Sequence, residues 1–159
     1  MNCIDGANSP EAKVELFDFP AHGDARGFLI ALECLKEIPF DVKRVYFIYD
    51  TKEGVARGFH AHRKLKQVLI AVSGSMTIHV EYGDEKKQIL LDSPDKGLLI
   101  DGLVWREMHD FSNGAVLLVL ANEHYNEKDY IRDYDQFKIE NQQRQQASNK
   151  INQRKYYDF

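Results

Sequence analysis

One stretch, residues 54–74, limits what this chain can fold into more than any other. It reads G-x5-H-x-H-x4-Q-x6-G, with the paired histidines His60 and His62 followed by Gln67. Side chains two residues apart on a β-strand point to the same side of the sheet. We therefore expect His60 and His62 to lie side by side in the interior of a small barrel.

The rest of the chain is divided into short apolar or alternating segments separated by turn-forming residues. These segments predict strands near residues 14–19, 28–33, 42–49, 57–62, 67–72, 76–81, 88–91, 97–100, 104–111 and 115–121. Many short strands at regular spacing are typical of an antiparallel sandwich or barrel. From Asp135 the chain has neither Gly nor Pro, which predicts a C-terminal helix. We expect a flexible leader at 1–12, one barrel domain at 13–134, and a helix and tail at 135–159.

Charge and hydropathy exclude several classes of partner. A net charge of −4 and a pI near 5.9 give no general attraction to nucleic acid or to an anionic membrane. The start lacks a basic segment followed by an apolar run, and no stretch is long enough to span a bilayer, so we expect a cytoplasmic protein. An anionic ligand would need locally placed arginines, and four lie beside predicted strands: Arg26, Arg44, Arg57 and Arg106.

The spacing of residues 54–74 resembles the first motif of the cupins, where two histidines and a glutamate bind a metal and a second motif supplies one more histidine. Gln67 stands in the glutamate position, and the best second-motif match, residues 100–105, ends in Trp105. Because two of four ligands are replaced, we predict no metal centre. Paired imidazoles without a metal suit proton transfer, since histidine titrates at about 6.5. The alternative is that His60 and His62 are hydrogen-bonded structural residues.

Two further residues could join this pair. Tyr46 lies on a neighbouring predicted strand and could supply a phenol. His109 shares strand parity with Trp105, so it could face the same interior if no bulge intervenes. By the same parity His79 alternates with apolar residues, and we expect it to face solvent.

Three segments together carry a more specific resemblance: residues 57–62 (RGFHAH), 105–111 (WREMHDF) and 129–132 (DYIR). With them the chain resembles the cupin-type dTDP-sugar 3,4-ketoisomerases over residues 14–137. The resemblance implies an RmlC-like jelly-roll barrel and a homodimer with exchanged strands. It also implies conversion of dTDP-4-keto-6-deoxy-D-glucose to a 3-keto sugar without a cofactor, as a step towards 3-amino-3,6-dideoxyhexoses in surface polysaccharide such as O-antigen or in glycosylated metabolites.

The resemblance also implies roles for individual residues. His62 would be the carbon base, His60 the proton shuttle between oxygens, and Tyr46 a contact near the sugar, with the two histidine roles open to exchange. The implied substrate-binding residues are Arg26, Arg57, Gln67, Trp105, Arg106 and His109. Arg106 resembles the pattern of enzymes that retain configuration at carbon 4, whereas Arg26 resembles the inverting pattern, so the product stereochemistry stays open.

Three other functions are compatible with this barrel. A dTDP-sugar 3,5-epimerase also uses a histidine base, but such enzymes usually pair it with an aspartate and set a tyrosine across the sugar. A non-catalytic sugar-nucleotide sensor would keep the arginines and could lose the histidine pair. A metal-dependent dioxygenase would require bound iron.

Overall fold

The computed structural model describes the backbone of residues 11–157 and the side chains of residues 11–153. The predicted leader therefore lies outside the described residues, except for its last two positions. The strands are β1 (Lys13–Asp18), β2 (His22–Asp24), β3 (Gly27–Leu29), β4 (Arg44–Tyr49), β5 (Arg57–His62), β6 (Lys66–Ser73), β7 (Met76–Tyr82), β8 (Glu85–Leu91), β9 (Lys96–Asp101), β10 (Trp105–His109), β11 (Val116–Ala121) and β12 (Tyr130–Ile131). A 3₁₀ turn, Glu127–Asp129, precedes β12, and the helix α1 spans Tyr134–Tyr157.

Ten strands form two five-stranded sheets. The first has the order β1-β9-β6-β11-β4 and the second the order β12-β5-β10-β7-β8, while β2 and β3 form a separate hairpin. All strand pairs are antiparallel. The prediction of an all-β fold followed by a helix is confirmed.

Apolar side chains fill three layers. The main core lies between the sheets and includes Leu69, Ile78, Leu98, Met108 and Leu117. A second cluster on the outer face of the first sheet contains Phe19, Ile38, Phe40, Val68, Ile70, Leu99 and Leu120. The third, under α1 on the outer face of the second sheet, contains Ala61, Leu103, Trp105, Ile131 and Phe137. The outer face of the first sheet is thus covered by the chain between β3 and β4, and the outer face of the second sheet by α1.

One predicted strand and the predicted length of the helix need correction. The strand predicted at 28–33 ends at Leu29, because Ile30 and Leu32 pack on the outer face of the first sheet and do not pair in a ladder. The helix is 24 residues long, not short. It begins one residue early because Asp133 caps it, its carboxylate accepting from the Gln136 N–H at 2.8 Å.

Among the described residues, no helix is both long enough and apolar enough to cross a bilayer.

Candidate active site

A bulge in β5 sets the direction of the paired histidines. Gly58 lies opposite Glu107 and His60 opposite Arg106, so Phe59 is an extra residue without a partner in β10. Gly58 and Phe59 both have positive φ, 91° and 56°. Such backbone is easy for glycine and strained for phenylalanine. Beyond the bulge, His60 shares the face of Arg106, which points between the sheets.

The bulge leaves the two imidazoles side by side. The His60 and His62 ring centroids are 4.9 Å apart, with the ring planes perpendicular. The His62 side chain is 1% exposed, whereas His60 is half-buried. The Tyr130 ring packs against both, at centroid distances of 5.2 and 4.1 Å. The structure therefore places the pair together, as the H-x-H spacing predicts.

Asp129 orients the inner imidazole. Its Oδ2 lies 3.2 Å from His62 Nδ1, and its Oδ1 accepts from the backbone N–H of Lys64 at 3.0 Å. A carboxylate at Nδ1 favours the tautomer with the proton on Nδ1 and a lone pair on Nε2. His62 Nε2 is buried and has no hydrogen-bond partner among the described residues. This arrangement leaves one nitrogen free to accept a proton.

A buried guanidinium lies on the same face of the sheet as the pair. Arg106 is fully buried; its Nη1 donates to Gln67 Oε1 and its Nη2 to the Val104 carbonyl at 3.0 Å. Gln67 in turn donates from Nε2 to the Tyr46 hydroxyl oxygen at 3.0 Å. Because Tyr46 accepts this bond, its own O–H remains available for a ligand oxygen.

Burial and Arg106 fix the protonation states. Desolvation, reinforced by the Arg106 cation, lowers the pKa of His60 to about 4 and holds the pKa of His62 well below its usual range. Burial raises the pKa of Tyr46 and lowers the pKa of Arg106 to about 10. At neutral pH the site therefore holds two neutral imidazoles, one neutral phenol and one cation.

This donor set does not suit the metal of typical cupins. The match to the second cupin motif puts Trp105 at the position of the last metal ligand. In the structure Trp105 points away from the histidine pair, and Arg106 occupies the interior. A divalent cation beside His60 and His62 would face a buried guanidinium and an amide in place of a carboxylate. The chemistry that these residues can perform is proton transfer.

Two expected substrate contacts lie elsewhere. Trp105 packs against the Tyr134 ring at 5.2 Å, on the face of the second sheet opposite His60. His109 lies on that same outer face, its Nε2 2.8 Å from Glu107 Oε2. Trp105 and His109 do share one face of β10, as predicted, but it is the outer face. The expectation that His109 faces the interior is wrong, because the inward face of β10 carries Arg106.

Two arginines lie at the periphery. Arg57 is exposed but pairs directly with Met108, so it shares the face of the histidine pair. Arg26 lies in the β2–β3 hairpin, its side chain 90% exposed and paired with Asp24 at 2.6 Å. Within one chain, no contact of the described residues joins Arg26 to the histidines.

A cleft of about 440 Å³ opens beside His62. Its wall includes Arg44, Lys64, Tyr125, Asp129 and His124. The Arg44 guanidinium lies over the Tyr46 ring at 5.5 Å and the Tyr125 ring at 5.7 Å. Two cations beside neutral imidazoles suit a phosphorylated ligand whose uncharged part reaches His62.

Sequence reasoning missed Asp129 and Tyr130 as site residues. They follow the last long predicted strand, in a polar and aromatic segment without a strand or helix pattern of its own. β12 pairs with β5, with Tyr130 opposite His62, and this contact brings Asp129 to the imidazole. The available signal was the run of residues 129–132, one of the three segments of the family resemblance.

Comparison with known proteins gives consistent results. A family model described as "FdtA: WxcM-like, C-terminal" matches residues 12–142. The TDP-4-oxo-6-deoxy-alpha-D-glucose-3,4-oxoisomerase of Aneurinibacillus thermoaerophilus is 53% identical over 115 residues, 72% of this chain and 83% of that protein.

Solved structures agree with this match. The sugar 3,4-ketoisomerase QdtA of Thermoanaerobacterium thermosaccharolyticum, in complex with TDP, is 49% identical with a TM-score of 0.80, covering 82% of this chain and 96% of that one. A histidine mutant of QdtA was solved with TDP-4-keto-6-deoxyglucose. The TDP-quinovose 3,4-ketoisomerase WlaRB of Campylobacter jejuni is 50% identical, with a TM-score of 0.75 over 78% of this chain and 95% of that one. These matches confirm the cupin-type jelly-roll fold.

Epimerases are more distant. ChmJ, a 3'-monoepimerase of Streptomyces bikiniensis, is 16% identical with a TM-score of 0.64, covering 74% of this chain and 67% of that one. At that identity the likeness concerns the fold alone.

Proposed function

The chain belongs to the FdtA-like family, and we propose that it is a sugar-nucleotide 3,4-ketoisomerase that converts TDP-4-keto-6-deoxy-D-glucose to a TDP-3-keto-6-deoxyhexose. One structural observation carries the proposal beyond family membership: two neutral imidazoles, one buried and one half-buried, lie side by side, and Asp129 leaves the Nε2 of His62 free. The activity is that of a 3,4-oxoisomerase 53% identical to this chain.

The reaction needs only proton transfers. His62 Nε2 removes the carbon-3 proton, which the ketone at carbon 4 makes acidic, and an enediolate forms. His60 carries the hydroxyl proton from the oxygen on carbon 3 to the oxygen on carbon 4, and a proton returns to carbon 4. Hydrogen moves only within the sugar or through these bases, so the step balances without an oxidant or a reductant. As in the sequence-based assignment, the roles of His60 and His62 could be exchanged.

Arg106 and Tyr46 stabilise the charged intermediate. A fully buried guanidinium close to both imidazoles offsets the developing oxyanion in a site from which water is largely excluded. The Tyr46 hydroxyl, held by Gln67, donates to a sugar oxygen. Gln67 therefore acts as a positioning residue, a change from the substrate contact expected from sequence.

The anionic part of the ligand binds at the mouth of the cleft. Arg44 and Lys64 line it beside His62 and supply the charge that a diphosphate needs. Arg57 shares the inner face of β5 and adds a third cation. Trp105 and His109 point to the other face of the sheet and are no longer substrate contacts in this proposal.

The active form is a homodimer with exchanged strands. β4 is an edge strand of the first sheet, and its outward side chains Val45, Phe47 and Tyr49 are 55%, 61% and 65% exposed. The β2–β3 hairpin exposes Phe28 at 79%. Apolar surface of this kind favours burial against a second copy. An exchanged hairpin would bring Arg26 to the site of the other subunit.

The product is a cytoplasmic intermediate for surface polysaccharide such as O-antigen. A ketone at carbon 3 is the group that an aminotransferase requires, so the expected next step is amination to a 3-amino-3,6-dideoxyhexose.

NMR of the product in D₂O tests the reaction class and the carbon-4 configuration together. We expect a 3-keto sugar nucleotide whose carbon 4 carries either the proton returned from carbon 3 or deuterium from a base that has exchanged with solvent. A parallel reaction in H₂O keeps the carbon-4 proton, whose coupling reports the configuration. A 4-keto product labelled at carbons 3 and 5 would indicate an epimerase, binding without turnover a sensor, and chelator-sensitive consumption of oxygen a dioxygenase.

His62→Asn tests the base. We expect it to lower kcat by at least about 10²-fold, the range for loss of a general base, while nucleotide affinity is kept. The matched control is His79→Asn, which alters a half-buried histidine on the outer face of the second sheet. Near-normal turnover of His62→Asn would contradict the base assignment.

A further inference from the structure

A second cluster of imidazole and carboxylate groups lies on the outer face of the second sheet. It consists of His79 on β7 and Glu107 and His109 on β10, all half-buried. Glu107 is directly opposite His79 in the ladder, and His109 lies two residues further along the same face. The histidine pair of the active site points to the opposite face, so the proposed reaction does not use this cluster.

The three side chains converge. His109 Nε2 lies 2.8 Å from Glu107 Oε2, and the imidazoles of His79 and His109 stack with centroids 4.1 Å apart and planes 21° apart. One ligand atom from each residue lies within 4.8 Å of the others. Ligands at about 2.1 Å from a tetrahedral zinc ion are separated by roughly 3.4 Å. The two imidazole planes are nearly parallel, so metal binding requires both rings to turn at this half-buried surface until their lone pairs point at one ion.

The surroundings orient the carboxylate and leave room for an outside ligand. Trp105 Nε1 donates to Glu107 Oε1 at 3.0 Å, which leaves Oε2 directed at the imidazoles. Hydrogen bonds of this type fix the ligands of metal sites in proteins. The cluster opens into a cleft of about 660 Å³ lined by His79, Glu107, Lys86, Lys87 and Tyr134. Because His79 and Glu107 line this cleft, an ion bound between them is accessible to solvent or to a small anion.

We propose that His79, Glu107 and His109 bind one divalent transition-metal ion, with a fourth position open to the cleft. Two imidazoles and one carboxylate favour zinc, copper, nickel or cobalt over magnesium and calcium, which prefer oxygen ligands alone. Bound metal links β7 to β10 across the outer face of the sheet. The histidine assigned to substrate binding from the sequence, His109, becomes a metal ligand.

Metal titration of tag-free, chelator-stripped protein tests this site. We expect one equivalent of Zn²⁺ to bind, and Co²⁺ to give visible absorption of a four- or five-coordinate site. Mg²⁺ should not compete. His79→Ala and Glu107→Gln should each weaken Zn²⁺ binding at least about 10-fold, since loss of even a group that only orients a metal ligand has an effect of that size. His79→Phe, which keeps a ring for stacking, should weaken it equally and guards against misfolding of the alanine variant.

The matched control is His62→Asn, because the active-site pair is the other place where two imidazoles meet. Zn²⁺ affinity unchanged in His62→Asn, together with ketoisomerase activity unchanged in metal-free His79→Ala, supports the outer site. Zn²⁺ should also raise the melting temperature of the wild type but not of His79→Ala. The proposal is overturned if the wild type binds no Zn²⁺, or if binding survives in both His79 variants or is lost in His62→Asn.

Discussion

At the scale of single residues, the site is defined by imidazoles that stay neutral. Burial and the Arg106 cation lower the pKa of His60 to about 4, so both histidines are unprotonated across the neutral range. A neutral imidazole can accept a carbon-bound proton, but a lowered pKa makes it a weaker base. Attraction between the Arg106 cation and the enediolate offsets that loss. The buried cation thus has two effects: it keeps the base free and it attracts the enediolate.

The acid limb of the pH profile tests this electrostatic role. The lowered pKa of His60 predicts that kcat/KM falls on acidification only below about 6.5, the value for an unperturbed histidine. Arg106→Met should lower kcat and move the limb to higher pH, because removing the cation raises both histidine pKa values. The matched control is Arg144→Met on α1, whose guanidinium donates to the Arg63 carbonyl at 3.3 Å. A wild-type limb at 6.5 or above would contradict the assignment.

The same shift affects folding stability. Below a pH of about 6.5 the unfolded chain binds a proton at His60, whereas in the folded chain the lowered pKa of His60 delays this protonation to a pH of about 4. Stability therefore falls as the pH is lowered through this window.

Asp129→Asn tests the tautomer. An amide N–H facing His62 Nδ1 would favour the proton on Nε2 and remove the free lone pair, while the amide oxygen can still accept from the Lys64 N–H. We expect kcat to fall by about 10²-fold or more, with little change in stability. Asp84→Asn, at an exposed turn, is the control. Full activity of Asp129→Asn would show that the carboxylate does not orient the base.

The sequence predicts part of this site and not the rest, for physical reasons. The H-x-H spacing places His60 and His62 on one face because strand alternation is local. The choice between Trp105 and Arg106 as the inward residue depends on which face of β10 meets the other sheet, which alternation alone leaves open. Asp129 reaches His62 through a contact 67 residues apart in the chain, and nothing local indicates it.

At the scale of elements, the β5 bulge and the short strand β12 build the site. The bulge sets the direction of His60 after two residues of positive φ. β12 places Tyr130 beside His62, and the 3₁₀ turn before it places Asp129 there. The main strands were predictable from alternation. β12 is only two residues long and has no periodicity of its own, so pattern reading missed it.

Gly58→Ala tests the bulge. A Cβ at Gly58 would lie 2.9 Å from the Arg106 carbonyl oxygen and 3.2 Å from Glu107 Cα, at a φ of 91°. We expect a loss of about 1–3 kcal/mol in the free energy of unfolding, measured with urea, and a lower kcat because His60 moves. Gly54→Ala is matched: its φ is also positive, 73°, but nothing lies within 4 Å. Equal losses in both variants would show that the packing against β10 is unimportant.

At the scale of the whole molecule, the unpaired edge of β4 and the exposed β2–β3 hairpin are the surfaces left to explain. An edge strand with outward apolar side chains invites pairing with another chain. Phe47→Lys should convert a dimer, of about twice 18.4 kDa, into a monomer in light scattering. Ile139→Lys, at a 51% exposed position on α1, is the control and should remain a dimer. A wild-type monomer, or a dimer that survives Phe47→Lys, would contradict β4 as the interface.

Subunit complementation tests whether Arg26 serves the site of the other subunit. The variants Arg26→Ala and His62→Asn, each of low activity alone, are mixed in equal amounts, unfolded together and refolded. If the hairpin crosses over, half of the dimers are mixed and each has one intact site of two, so activity should return to about one quarter of wild type. If Arg26 acts within its own chain, every site keeps one defect, because each chain carries one of the two substitutions. Activity no higher than that of the parent variants would therefore overturn strand exchange, and full activity of Arg26→Ala alone would remove Arg26 from the site.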